Sequence, residues 1–164
     1  MKNTLSEIIN KSTFVLISNK KQIIRKYSLN ERDYKTERFA HIEKDLFGFD
    51  AILSITKPQI VGEIDERFFK SGADIIVSDT EKASRHHLKE YGLDEITYEL
   101  NMACVKVIRD KVTKYTNITK NKPRYVAGCL SSLPADLDYN YIFSAYSEQL
   151  KAQLAAKADL IYLS

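Results

Sequence analysis

Two cysteines and three histidines are the side chains of this 164-residue chain best suited to hold a soft metal or to act as nucleophiles. A closed zinc site takes about four ligands, and Cys104 and Cys129 are too few and too scattered to supply one or to form a disulfide framework. Cys104 falls in an apolar helical stripe, where a thiol packs as a small hydrophobe. Cys129 follows a bounded apolar run, "RYVAG" (124–128), and so stands just past a predicted strand. His86 and His87 are adjacent and point about 100° apart on a helix, whereas metal-binding pairs use i, i+4 spacing, so they are read as solvated surface. His41 sits in a loop before Asp45 without an evident partner. Of the five tyrosines from Tyr125 to Tyr162, Tyr125 and Tyr162 fall in strands and Tyr146 on a helical stripe, which makes most of them packing residues before they are a stacking platform. No side chain is assigned a catalytic role.

The elements that position these residues alternate between helix and strand. Thr4 can cap a short helix through Asn10, and "TFVLIS" (13–18) reads as a buried strand. Residues 19–50 are charged and show no long periodic face, which predicts a helical turn or two within a loop. Thr56 and Pro58 mark a helix start, Ile60, Val61, Ile64 and Phe68 form its apolar stripe, and Gly72 stops it. "ADIIVS" (73–78) is the second strand. A helix at about 80–91 follows, then a longer one from Asp94 with Ile96, Leu100, Ala103, Cys104, Val107, Ile108 and Val112 on one face, closed by Pro123. "RYVAG" is the third strand, Ile142, Tyr146, Leu150 and Leu154 stripe the next helix, and "ADLIYL" (158–163) is the fourth strand. Gly72 supplies a left-handed turn before the first Ala-Asp pair, and Lys157 must manage that turn without glycine before the second. Strands joined by helical crossovers pair in parallel, so the class is α/β, as an open sheet or as half of a barrel.

Composition narrows the setting. With 44% hydrophobic and 29% charged residues, the chain suits one globular domain, residues 1–164. The formal net charge of +3 comes from basic residues spread among acids, which argues against a nucleic-acid partner. No run approaches the ~20 apolar residues of a membrane span, and the first residues lack a signal-peptide core, so a reducing cytoplasm is the expected location.

The stretches "DLFGFDAILSITKPQIV" (45–61), "FFKSGADIIVSDT", "EYGLDEITYELNMA", "NKPRYVAG" and "FSAYSEQLKAQLAAKADLIYLS" together resemble the homocysteine-binding (homocysteine S-methyltransferase) domain of cobalamin-dependent methionine synthase. The resemblance covers about residues 45–164 and implies the first half of a TIM (β/α)₈ barrel, a fold that takes about 250 residues when complete. It further implies a family chemistry in which zinc activates homocysteine as a thiolate, with cobalamin and methyltetrahydrofolate on other domains. By family position, Ser78, Asp79, Thr80 and Cys129 are the substrate-binding candidates, at the C-terminal rim where such barrels place their sites. The family's three zinc cysteines belong to the second half of the barrel, so this chain alone is expected to bind no metal or other cofactor.

Several positions depart from the pattern the resemblance implies. "SDTE" (78–81) replaces Thr-Asn-Thr-Phe, so Asp79, an acceptor-only carboxylate, stands where an amide is expected and Glu81 where an aromatic is. Cys129-Leu130 replaces Gly-Pro, "ISNKKQI" replaces the Asp-Gly-Gly-Met-Gly-Thr turn, and the Glu-Thr after the fourth strand falls beyond Ser164. The expectation is a degenerate or truncated relative without independent methyl transfer, acting by binding or assembly. A component of a split homocysteine S-methyltransferase, completed by a chain carrying the zinc ligands, is the alternative; a fragment is the third reading. Half a barrel also predicts a homo-oligomer or a complementary chain. The expected interface is the sheet edge or an inner face exposing Ile75, Val77, Val126 and Leu160 or their pleat neighbours, unless the 19–50 region folds over an edge.

Overall fold

The structure, a computed structural model, describes residues 13–164; the helix predicted from Thr4 to Asn10 lies outside them. Four strands, β1 (Leu16–Ile17), β2 (Ile75–Val77), β3 (Tyr125–Leu130) and β4 (Leu160–Leu163), form one parallel sheet in the order β1-β2-β3-β4. Ile75 pairs with Leu16 and Tyr125, and Ala127 with Leu160, so consecutive strands are neighbours throughout. The crossovers carry helices α1 (Lys21–Ile24), α2 (Glu31–Lys35), α3 (Leu53–Thr56), α4 (Pro58–Lys70), α5 (Arg85–Lys89), α6 (Thr97–Ile118) and α7 (Tyr139–Ala155). This is the succession of a (β/α) barrel carried through four strands. Among the described residues no helix is long and apolar enough to cross a membrane.

The β period of two separates the sheet into two faces. Ile76 and Val126 point to the helices, packing with Phe69, Val105, Ile108, Val112 and Tyr115. Ile75, Val77, Ala127 and Cys129 point the other way and are buried with partly covered Phe14, Tyr125, Leu160 and Tyr162. The expected open inner face is therefore corrected. Val126 lies on the helical side, and Ile75 and Val77 are only 4% and 3% exposed. Apolar exposure is found instead at the flanks, with Leu16 on β1 37% exposed and Leu163 on β4 74% exposed.

Residues 19–50 hold the two helical turns expected but are far from a loose loop. Ile24, Tyr34, Phe39, Leu46 and Phe49 are buried against Val61, Ile64, Leu88, Leu100 and Cys104, a core built over α4 and α6. Local polar chemistry shapes this cap: Asn30 and Asp33 form a reciprocal capping box at α2, and Glu31 accepts from the Leu46 and Phe47 amides at 2.9 and 2.6 Å. Its apolar residues follow no single period, which is why their shared core is invisible in the chain order.

The helix expected at 80–91 shortens to α5, because residues 80–84 form a turn and Ser84 caps the helix through the His87 amide. Helix α7 is rotated from expectation by about 100°. Ala145, Gln149, Ala152 and Gln153 are its buried side chains, whereas Leu154 on the predicted apolar stripe is 58% exposed. Small residues and two amides let α7 approach the rim closely, and a leucine stripe would not meet the polar groups there.

Both Ala-Asp pairs lock their strands in the same way. Gly72 has φ 103° and Lys157 has φ 66°, the left-handed conformation in both copies. Asp74 then accepts from the Val15 amide and Asp159 from the Val126 amide, each at 2.9 Å and each across to the preceding strand. Arg124 sits 3.1 Å from Asp74, and Arg109 2.6 Å from Asp159, balancing the two carboxylates.

Candidate functional site at the C-terminal ends of the strands

Parallel strands end together, so the residues after β1, β2, β3 and β4 converge on one rim. After β1 comes Lys20, whose backbone carbonyl starts α1 and whose side chain is buried. Its Nζ lies 2.8 Å from Asp65 Oδ1 on α4 and 3.0 Å from Asp79 Oδ2 just past β2. Burial alone would lower the Lys20 ammonium, and Asp65 and Asp79 more than reverse that, holding it well above the ordinary lysine range. Burial raises the Asp65 carboxyl, with Lys20 pulling against it. A raised ammonium and a raised carboxyl describe the pair's protonation in opposite senses; the two short contacts to one ammonium favour the ion pair.

Asp79 alone of the three reaches solvent, its side chain 20% exposed. It borders a small rim cavity of about 110 Å³ lined also by Ser18, Lys21, Asp50, Glu81 and Lys82. Asp50 accepts from the Tyr34 hydroxyl at 2.8 Å, and burial raises its carboxyl, with Asp79 adding to the rise. The cavity therefore brings the carboxylates of Asp50, Asp79 and Glu81 together with flanking lysines.

Next to the charged cluster stands a neutral one. Thr80 Oγ1 donates to the Cys129 carbonyl at 2.9 Å, accepts from the Cys129 amide at 2.9 Å, and lies 2.9 Å from Ser78 Oγ. Gln153 Nε2 reaches Thr80 Oγ1, Asn101 Oδ1 and the Cys129 carbonyl at 3.0–3.1 Å, and Gln149 Nε2 donates to the Thr80 carbonyl at 2.9 Å. Asn101 Nδ2 closes the network on the Ala83 and Thr97 carbonyls. Gly128 makes the approach possible: a Cβ there would stand 2.1 Å from Gln153 Oε1.

The chain matches the family model for homocysteine S-methyltransferase over residues 24–164. It belongs to the homocysteine S-methyltransferase family. Its fold is similar to that of the homocysteine methyltransferase MmuM from Escherichia coli, in the metallated form at TM-score 0.77 and 16% identity, covering 99% of this chain and 57% of that one. The oxidized form matches at TM-score 0.72 and 17% identity, covering 98% and 56%. This chain thus spans little more than half the length of the solved structures it matches, and its fold is a partial TIM-type barrel.

Within that family fold, the four sequence candidates are brought to one rim but face different ways. Ser78 and Thr80 are buried in the neutral network, and Asp79 alone borders the cavity. Cys129 points to the inner face, with Sγ 3.9 Å from Ser164 Oγ, and burial pushes its thiol upward. Cys104 is buried on α6, its thiol pushed up to about 12 by burial, so neither thiol is poised as a nucleophile. The donor set here does not fit the zinc ion that the family resemblance implies. Among the described residues no three His, Cys, Asp or Glu side chains converge on a metal position, and the two thiols belong to separate clusters.

Sequence reasoning passed over Lys20, Asp65, Asn101, Gln149 and Gln153. A lysine in the run Lys20-Lys21 reads as surface, and only the fold lays it between two carboxylates. The amides left a usable signal: Gln149 and Gln153 lie one turn apart on a face otherwise made of alanines, which is an unusual surface but a good lining for a buried polar contact.

Proposed function

We propose that this homocysteine S-methyltransferase relative acts by binding or assembly and does not itself transfer a methyl group. The observation that carries this reading is the state of the rim. Asp79 is held by Lys20, the Ser78 and Thr80 hydroxyls are committed to internal hydrogen bonds, and the Cys129 thiol faces the inner core. A substrate group entering from solvent meets a lysine-flanked cavity of carboxylates, and no activated thiol or convergent metal donors among the described residues. Restoring the amide expected at this position, Asp79→Asn, leaves Lys20 with Asp65 and provides no thiolate-activating group.

Titration calorimetry with homocysteine, with and without added zinc, tests the proposal. Neither the parent chain nor Asp79→Asn is expected to show submillimolar affinity. Zinc-dependent homocysteine binding or methyl transfer by the chain alone would overturn it.

One observation favours a second reading, a split enzyme. The strand β4 carries Leu163 largely exposed and pairs on one side with β3, leaving a parallel edge that a chain bearing further strands can extend. Homocysteine methylation appearing only when a zinc-ligating second half is mixed with this chain would establish it.

A further inference from the structure

The exposed side of α7 is apolar in a pattern that is complementary to itself. Tyr139, Phe143 and Leu154 are 75%, 63% and 58% exposed, and Leu150 beside them is partly buried. At 100° per residue these four positions fall within about 60° of arc, a single stripe along the helix. They are also symmetric about the peptide bond between Tyr146 and Ser147. The face that α7 buries in its own chain, Ala145, Gln149, Ala152 and Gln153, lies elsewhere on the helix, so the stripe is free of that duty.

We propose that this stripe is a homodimer interface, in which α7 packs antiparallel against α7 of a second copy. A two-fold axis through the Tyr146–Ser147 bond sets Tyr139 against the partner's Leu154, and Phe143 against the partner's Leu150. Aromatic meets aliphatic at both pairs, which avoids ring-on-ring crowding. The same register sets Asp136, exposed ahead of the helix, opposite the partner's Lys157, exposed behind it. The Asp138-capped N-terminus of each α7 also meets the C-terminal end of the other, a favourable dipole arrangement.

A groove of about 460 Å³ runs beside the stripe, lined by Leu130, Tyr146, Leu150 and Leu163. It gives the partner's Phe143 an apolar seat. The exposed side chains of the stripe offer on the order of 500 Å² per protomer, and the groove walls bring this toward the ~800 Å² per partner of a standard interface. The dimer deepens the assembly reading of the preceding subsection and rests on it, while the residues that line the Asp79 cavity stay outside the interface.

Sedimentation velocity on the full chain from about 1 to 100 μM is the test, at concentrations where a standard interface saturates. The parent chain is expected to sediment as a dimer in the upper part of that range. Phe143→Glu is expected to sediment as a monomer with an unchanged far-UV circular dichroism spectrum, and Tyr139→Lys, at the most exposed stripe position, to behave alike should the first variant fold poorly. A parent chain that stays monomeric at 100 μM overturns the proposal. So does a dimer that survives both substitutions but is lost in Leu16→Lys, which would place the interface at the β1 edge. Homocysteine binding by the dimer would instead remove the noncatalytic reading and leave this interface standing.

Discussion

Two polar clusters lie side by side at the strand ends, and they solve burial by different means. Lys20, Asp65 and Asp79 are charged and long-range, drawn from the turn after β1, the middle of α4 and the turn after β2. Thr80, Asn101, Gln149 and Gln153 are neutral and mesh with backbone groups of β3 and the 80–84 turn. The charged cluster depends on every member, because desolvated ions are tolerated only in company. The neutral one distributes its bonds, so that most groups keep a partner when one is lost.

The sharpest way to break the comparison is Lys20→Met, which leaves Asp65 fully buried with no counter-ion. A loss of about 3–5 kcal/mol in urea denaturation is expected, as for removing one partner of a buried pair. The double variant Lys20→Met/Asp65→Leu should recover most of that loss, and a double variant as unstable as the single one would mean the cost lies in packing. In the neutral cluster, Thr80→Val removes one donor and the acceptor for the Cys129 amide while keeping the shape. The expected loss lies in the upper part of the ~1–3 kcal/mol range for an unsatisfied buried group, read from the same denaturation curves.

Gly128→Ala probes how tightly Gln153 is held, since the new methyl meets a side-chain oxygen and leaves the β3 backbone in place. A loss in the lower part of ~1–3 kcal/mol is expected, partly recovered when Gln153 is also changed to Ala. The smallest signal is the pH dependence. Lys20 is raised above its ordinary value of 10.5 in the folded state, so its contribution is complete below that value and is lost as pH rises beyond it. Relative to the Lys20→Met/Asp65→Leu double variant, which carries neither buried ion, the parent chain should therefore lose stability as pH rises above 10.5. Thr80→Val, which removes no titrating group, should show a constant gap to the parent chain over the same range.

The amino-acid order by itself determined the alternation of strands and helices and the parallel class. "ADIIVS" and "ADLIYL" each contain an observed strand, "RYVAG" covers only the first part of β3, which runs on through Cys129 and Leu130 so that Cys129 lies in the strand and not past it, and Pro58 opens α4 at its first residue. These signals are local: β-branched runs, a proline that tolerates the first helical turn, and Ala-Asp pairs whose carboxylates reach the neighbouring strand. The family was legible for the same reason, because its motifs sit on contiguous stretches.

Tertiary structure alone decided what the local signals left open. The cap formed by residues 19–50 joins Ile24, Tyr34, Phe39 and Phe49 without a common period, so only the shape of α4 and α6 gathers them. It decided that α7 turns alanines and glutamines inward, since the polar turn after β2 rewards hydrogen bonds above apolar area at that contact. It also turned Lys20 from an apparent surface charge into the centre of a buried ion cluster. Coulombic and hydrogen-bond energies depend on distances between residues remote in the chain, and those distances exist only once the strands have been brought side by side.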